Sequence, residues 1–515
     1  MSADAAILLE RHDQLDLASY CRVAWDGARV ALADRLLSTV ERSRTALVSH
    51  LESGASAYGV TTGLGYLASH SIGPTDQASF QRSILAGRAA GIGPSLSEPV
   101  VRGAMLLRLT GFLSGHAGVS AELCRFIAER LNDGWYPVVP GGVSGAAGEI
   151  VPLAHLFATL VGDGFVYVNA HPIPSAAALR VPAYELGAKE GIALINGAPL
   201  APALSMPLMR RAEMLLEHAT LCGALTVALT SASLRPYAPR IGLLKGDPGQ
   251  LAIHDRLWSL LEPTPDRLLD TRQAPISMRV IPQVHGAAAE MLGHLGAQLE
   301  RELRAVTDSP VFFDAVGSQP EGVYSTGNFH AQYLVLLLAA TATAFTQVVN
   351  LLEQRLHRLL DARFSNLPDQ LTPDPGRQSG VVILHKQVIG IAAQARLLAA
   401  PTGIHVLEGS AGQEDFQTHT LLVAEQLNGV LDALELALAH ELVALRQARF
   451  LTGTELPSAL EDALALVAGL VPPVVEDRSL AADVERVQDL VASGRLVGGV
   501  RCPSIWSSRT PASPI

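Results

Sequence analysis

Apolar positions recur at intervals of three and four along most of this 515-residue chain, and that spacing predicts helices. The strongest runs cover residues 105–113, 204–229, 287–306, 332–360, 381–398 and 418–450. They are rich in Ala and Leu, which favour helix, and poor in β-branched runs. Alternation with period two is sparse, and only residues 165–168 and 311–313 read as short strands. Gly and Pro gather between the helical runs, at 59–65, 137–148, 172–182 and 368–380, and mark loops. The stretch 263–283 is Pro-rich but carries more polar groups than a plain connector needs. The longest runs cluster after residue 280, and helices of that length align into bundles whose seams can extend across subunits. The expected class is all-α, with an N-terminal domain at 1–200 and a long helical bundle with C-terminal helices at 201–515.

Composition narrows the class. The chain is 49% hydrophobic and 17% charged, too apolar for disorder. Its 38 basic and 49 acidic residues give a net charge of -11, which argues against a nucleic-acid surface. Residues 333–353 are long and apolar enough to span a bilayer, but three threonines, a Gln and an Asn interrupt them. A helix apolar on every face also suits the centre of a large bundle, and a core helix is the expectation. No basic segment followed by a long apolar run marks a secretory signal. Cys21, Cys124, Cys222 and Cys502 are widely spaced, without a CxxC pair, so the expectation is a reducing cytoplasm and no metal site.

Several loops carry candidate chemistry. "AYGVTTGLG" (57–65) sets Tyr58 beside a loop of little bulk, which can bring a phenol to a ligand and move as a lid, or can be a turn with a packed ring. "KEGIALINGAP" (189–199) ends an apolar run at Asn196, an amide suited to a substrate amine or carbonyl, or to capping the helix. "TRQAPISMRVIPQVHGA" (271–287) offers Gln273, Arg279 and Gln283. A planar guanidinium in apolar surroundings suits a ligand carboxylate, or an internal salt bridge. "TGNFHAQ" (326–332) supplies Asn328, Phe329 and His330, and "AGQEDFQ" (411–417) supplies Gln413, Glu414 and Asp415. Acids near a helix start cap it, or one serves as a base of raised pKa. "PGGVSGAAGEIVPLAHL" (140–156) runs from a small-residue loop into an apolar segment with His155, and holds Ala147 where a reactive side chain is expected.

In order and wording, "YGVTTGLG", "GAAGEIVPLAHL", "KEGIALING", "SMRVIPQVHGA", "AVTDSP", "GNFHAQ" and "GQEDF" resemble the aromatic amino acid lyases. That family holds the histidine, phenylalanine and tyrosine ammonia-lyases and related aminomutases. The resemblance runs from about residue 58 to 418. It implies an elongated helical bundle of the ammonia-lyase and fumarase type, with a smaller N-terminal helical domain carrying the active-site loops. It also implies a homotetramer whose sites lie where three subunits meet. In the family an Ala-Ser-Gly tripeptide cyclises and loses two waters to give methylidene-imidazolone, the electrophile that activates an otherwise unreactive amino acid. Here the matching tripeptide is Ala146-Ala147-Gly148, and Ala147 has no hydroxyl to eliminate. No cofactor is therefore expected. A shifted cyclisation at Val143-Ser144-Gly145, an engineered Ser-to-Ala change and natural divergence are the three ways to read this. Other departures favour divergence: Ala274 and Ile276 stand where an acid and a Tyr are usual, and Arg304 replaces an Asn. The loop before Ala146 is a residue short, and the ring-facing pair is Gly87-Arg88.

The resemblance assigns Tyr58 as the β-proton base and Glu414 as a second proton acceptor or amine contact. It gives Arg279 a carboxylate, and Asn196 and Gln273 polar groups near the old cofactor position, with Phe329 and Gln413 beside them. Arg88 would face the substrate ring and favour a second polar or acidic group. The expected function is acid–base elimination, addition, isomerisation or cyclisation of an activated carboxylate-bearing small molecule. Helical lyases of the fumarase kind make such eliminations credible without this cofactor. The alternatives are a pseudoenzyme, or a subunit completing the sites of an active homologue, or a conventional ammonia-lyase if the alanine was engineered. No nucleic acid or membrane partner is expected.

Overall fold

A computed structural model describes residues 6–263, 268, 273–401 and 407–498, so Cys502 and most of 264–272 fall outside the described residues. Helices dominate, and the strands are four residues long or shorter. The chain divides into two compact units, each built from three stretches of sequence. The first joins Met1–Pro207, Ala297–Leu336 and Thr402–Ala424, and the second joins Leu208–Gly296, Leu337–Pro401 and Glu425–Ile515.

The first unit carries three small sheets. Ile7–Leu9 pairs in parallel with Val30–Leu32, and Val311–Phe313 pairs antiparallel with Gly322–Tyr324. Phe165–Val168 lies between Tyr136–Pro137 and His171–Pro174. The strands at 165–168 and 311–313 are those expected. The stretch 172–182, read as loop, instead contains an edge strand and the helical turn Ser175–Ala178. Its two prolines, Pro172 and Pro174, are tolerated because an edge strand leaves one side of its backbone unpaired.

Charged side chains also hid part of a helix. The run read as 105–113 is Glu98–Phe112, with a Pro in its first turn where no N–H partner is lost. Arg102 and Arg108 interrupt the apolar pattern, yet each is only 3% exposed. Arg102 donates to the carbonyls of Val23 and Leu131, each at 2.9 Å. Arg108 pairs with Asp308 at 2.8 Å, and the buried Lys189 reaches the other Asp308 oxygen at 2.7 Å. One buried carboxylate thus holds two cations, which is the pairing that buried charges require.

The remaining long runs form the helices Leu200–Leu229, Ile281–Glu302, Gln332–Leu359, Val382–Leu398 and Thr420–Thr452. Leu200–Leu229 accommodates Pro207 in its interior, and Ile281–Glu302 begins six residues before the run read from residue 287 because Pro282 sits in its first turn. Within the second unit, Arg355 and Glu441 are both fully buried and joined by two bonds of 2.8 Å. Arg211 binds Asp432 at 2.6 Å and Glu435 at 2.9 Å. Glu190–Leu229 and Gln332–Leu359 are long and apolar enough to cross a membrane, and their most apolar windows are 83% and 61% buried in the protein.

Candidate active site

Several loops of the first unit converge, and each contact can be traced to a side chain. The Tyr58 loop is tied to the helix Glu190–Ile195 by Gln81, which is fully buried. The Gln81 amide nitrogen donates to the Gly59 carbonyl at 2.8 Å, and its oxygen accepts from the Ile192 N–H at 3.0 Å. That helix ends at Asn196, whose carbonyl accepts from Arg108 at 2.7 Å. Tyr58 and Asn196 are therefore positioned by one internal network. Asn196 occupies the C-cap position in an extended conformation, and its half-buried side chain has no hydrogen-bond partner among the described residues. It is free to meet a ligand rather than to cap the helix.

The Ala146-Ala147-Gly148 segment sits against this network. Gly148 has a φ of +66°, and a Cβ there would lie 3.4 Å from Phe329 and 3.6 Å from the Gly197 carbonyl oxygen. The positive φ favours glycine here, while a Cβ would meet these neighbours only at ordinary contact distance. Phe329, half-buried, therefore closes over the tripeptide beside the Asn196 turn. The Ala147 N–H donates to the Glu414 carboxylate at 2.8 Å. Glu414 is thus no helix cap; its carboxylate is held against the middle residue of the tripeptide. The Gln417 side chain holds it in turn, donating to the Glu414 carbonyl at 2.7 Å.

The same turn meets the Tyr58 loop. Ser410 lies against Gly65, where φ is +55° and a Cβ would collide with the Ser410 hydroxyl. The Gly65 N–H donates to the Tyr58 phenol oxygen at 2.8 Å. Arg88 is half-buried and forms no salt bridge among the described residues. Burial lowers its pKa from the ordinary guanidinium value, against the opposing pull of Tyr58 and Glu414. The Arg88 guanidinium donates to the Ile84 carbonyl at 3.5 Å, with Tyr58 and Glu414 near enough to favour its charge. The loop after it is fixed by His155, half-buried, whose Nε2 accepts from the Gly91 N–H at 2.9 Å. Burial lowers the His155 pKa, consistent with the neutral ring this bond requires.

Tyr58, Arg88, Asn196, Phe329, Glu414 and the Ala146-Ala147-Gly148 turn are brought together in the first unit. Gln413 lies on the same turn as Glu414 with an exposed side chain, as does Asp415. His330 stacks near Phe416 at 5.6 Å. Asn328 donates to the Val306 carbonyl at 3.3 Å and so braces its own loop. Gln273 and Arg279 belong to the second unit. There Gln273 and Gln283 are exposed, while Arg279 is half-buried and donates to the Ala274 carbonyl at 2.9 Å. Arg279 forms no salt bridge among the described residues, so its remaining N–H groups are available to an anion.

The sequence reading missed Glu149, although it follows Gly148 directly. Its carboxyl is 5% exposed and accepts from the Leu200 and Ala201 N–H groups at 2.5 and 2.6 Å, at the start of a long helix. Burial pushes its pKa up to about 8 against those two bonds. It locks the tripeptide turn to the helix Leu200–Leu229. An acid placed directly after a Gly-rich turn and before an apolar helix was the available signal.

The chain matches the model of the aromatic amino acid lyases over residues 15–468. A histidine ammonia-lyase of Aromatoleum aromaticum is 34% identical over 509 residues, covering 97% of this chain and 95% of its own. One from Anaeromyxobacter sp. is also 34% identical, over 95% of this chain and 99% of its own. Among solved structures, the tyrosine aminomutase from Streptomyces globisporus superposes with a TM-score of 0.87 at 26% identity, covering 96% and 98% of the two chains. The ergothioneine-degrading ergothionase from Treponema denticola gives 0.90 at 23% identity over 96% and 100%, a likeness of fold. With helices, loops and sequence in agreement over nearly its whole length, the chain belongs to the aromatic amino acid lyase family.

Proposed function

We propose that this chain is a lyase-type enzyme that works without methylidene-imidazolone. It would carry out an acid–base elimination, addition, isomerisation or cyclisation on a carboxylate-bearing small molecule that arrives already activated. The observation that carries this reading is the turn at 146–149, which keeps its glycine, its Glu414 contact and its neighbours while Ala147 supplies only a methyl group. The residues present do not fit the family's cofactor, because its methylene derives from a hydroxyl that Ala147 lacks. Cyclisation also needs a folded-back backbone. The chain turns at 146–149, whereas Ser144 lies on the unturned stretch before it and its hydroxyl accepts from the Ala146 N–H at 3.3 Å.

The remaining groups suit proton transfer. Tyr58 and Glu414 stand on facing loops, so one can take a substrate proton while the other accepts or returns one. Asn196 offers an unpaired amide to a polar substituent. Arg88 recognises an acidic or strongly polar group on the substrate, and Arg279 a carboxylate in the assembled enzyme. We place the protein in the cytoplasm as a homotetramer. The exposed Ile383, Ile389 and Leu397 along Val382–Leu398 support self-association.

Intact mass tests the cofactor reading. The expected mass is that of the unmodified chain, and loss of two waters would overturn it. Assays with histidine, phenylalanine and tyrosine should show no ammonia release at ordinary lyase rates. A panel of conjugated acids, ketones and thioesters should then show turnover that Tyr58→Phe removes. Binding without turnover across such a panel would favour a pseudoenzyme.

A further inference from the structure

We infer that Glu353, His357 and His385 form a binding site for a divalent transition-metal ion of the zinc type in the second unit. Glu353 and His357 are four residues apart on Gln332–Leu359 and so share a face. His385 comes from the first turn of Val382–Leu398. One ligand atom from each lies within 4.8 Å of the other two. His385 Nε2 and Glu353 Oε1 are already 2.8 Å apart. In a tetrahedral zinc site with metal–ligand bonds of about 2.0–2.2 Å, donor atoms sit roughly 3.3 Å from one another. Small side-chain rotations therefore suffice to close the triangle on an ion. Two imidazoles and one carboxylate match the donors that zinc and its neighbours prefer.

The surroundings are those of a site rather than of a plain ion pair. The Gln354 side chain donates to the second Glu353 oxygen at 2.6 Å and orients the carboxylate, as outer-shell partners do. The His357 ring stacks on that of His385 at 4.5 Å and 18°. A Glu353–His385 hydrogen bond alone gives His357 no part in the arrangement. The cluster opens on a cleft also lined by Asp361, Arg363, Asp369 and Gln370. Asp361 is bound to Arg363 at 2.6 Å, and Asp369 accepts from the Ala362 N–H at 2.9 Å. Those carboxylates are engaged, so the three ligands leave the fourth position to water from the cleft. An ion here would cross-link Gln332–Leu359 to Val382–Leu398. The inference is independent of the chemistry proposed for the first unit.

The test uses the full chain, dialysed against a chelator and titrated with zinc by calorimetry and with cobalt by its visible absorption bands. One equivalent should bind per chain at micromolar metal or below, with the cobalt bands of a tetrahedral nitrogen–oxygen site. His357→Ala and Glu353→Gln should each weaken binding at least tenfold, and His294→Ala, an exposed histidine on Ile281–Glu302, should leave it unchanged. Because His357 is exposed, its variant keeps the fold even if His385→Ala does not. No saturable uptake at micromolar metal, or affinity unchanged by His357→Ala, would overturn the inference.

Discussion

Replacing Glu149 with Gln should change how stability depends on pH. Two effects compete at this carboxyl. The Leu200 and Ala201 N–H groups, at a helix N-terminus, favour the charged form, while full burial disfavours it, and burial wins. The folded-state pKa rises from 4.5 to about 8. Between those values the folded chain keeps a proton that the unfolded chain has lost. Stability therefore falls as pH rises through the interval, by about 1.4 kcal/mol per pH unit. Over the whole interval this one group would cost roughly 5 kcal/mol, the full contribution being present below pH 4.5 and gone above about 8. Glu149→Gln keeps an oxygen to accept from the helix start and removes the ionisation. Denaturant unfolding of both proteins at intervals from pH 5 to pH 8 isolates the group, because every other titration is shared. The variant should gain on the parent steadily with pH, by about 4 kcal/mol across that range. Parallel curves would refute the reasoning and show that the helix N-terminus, not burial, sets the charge of Glu149.

Glu441→Gln leaves Arg355 buried without its counter-charge and should destabilise the protein by about 3–5 kcal/mol in denaturant unfolding, while replacing both with Leu should recover most of the loss. Tyr58→Phe should lower kcat on any accepted substrate by about 10²–10⁴ with little change in melting temperature. Arg88→Ala should weaken binding of substrates bearing a second anionic group about tenfold or more, and leave neutral analogues unaffected, as read by calorimetry. Gln81→Leu strips a partner from both Gly59 and Ile192, so unfolding measurements should show a loss of about 2 kcal/mol or more.

The long helices were legible because burial on several faces leaves Ala/Leu runs that periodicity detects. Their starts were not, since Pro99 and Pro282 interrupt the apolar spacing although they sit where a helix has no bond to lose. The strands Ile7–Leu9 and Val30–Leu32 were not read, because their apolar residues sit beside helical text and show no alternation of their own. In the site, Tyr58, Glu414, Asn196 and the altered tripeptide were legible because their surrounding words are distinctive. Gln81, Ser410 and Arg108 were not. Their importance comes from bonds to residues 22 to 344 positions away, which no local window records. The cluster of Glu353, His357 and His385 was not read: the sequence pointed to no metal site, and His385 joins the other two only through packing of a second helix.

The Gln81 bridge bears on how a small molecule could reach Tyr58. Swinging the Tyr58 loop outward from Gly59 would expose two backbone groups held by a fully buried amide, and would drag on the helix that ends at Asn196. On the other side, Ser410 is exposed and touches the loop through a 3.4 Å contact with the Tyr66 N–H. Opening at the turn carrying Ser410 and Glu414 would instead break the Glu414 bond to the Ala147 N–H. Traffic by that route would carry Glu414 away from Ala147 and bring it back, so admission of the substrate and assembly of the proton-transfer pair would be one event.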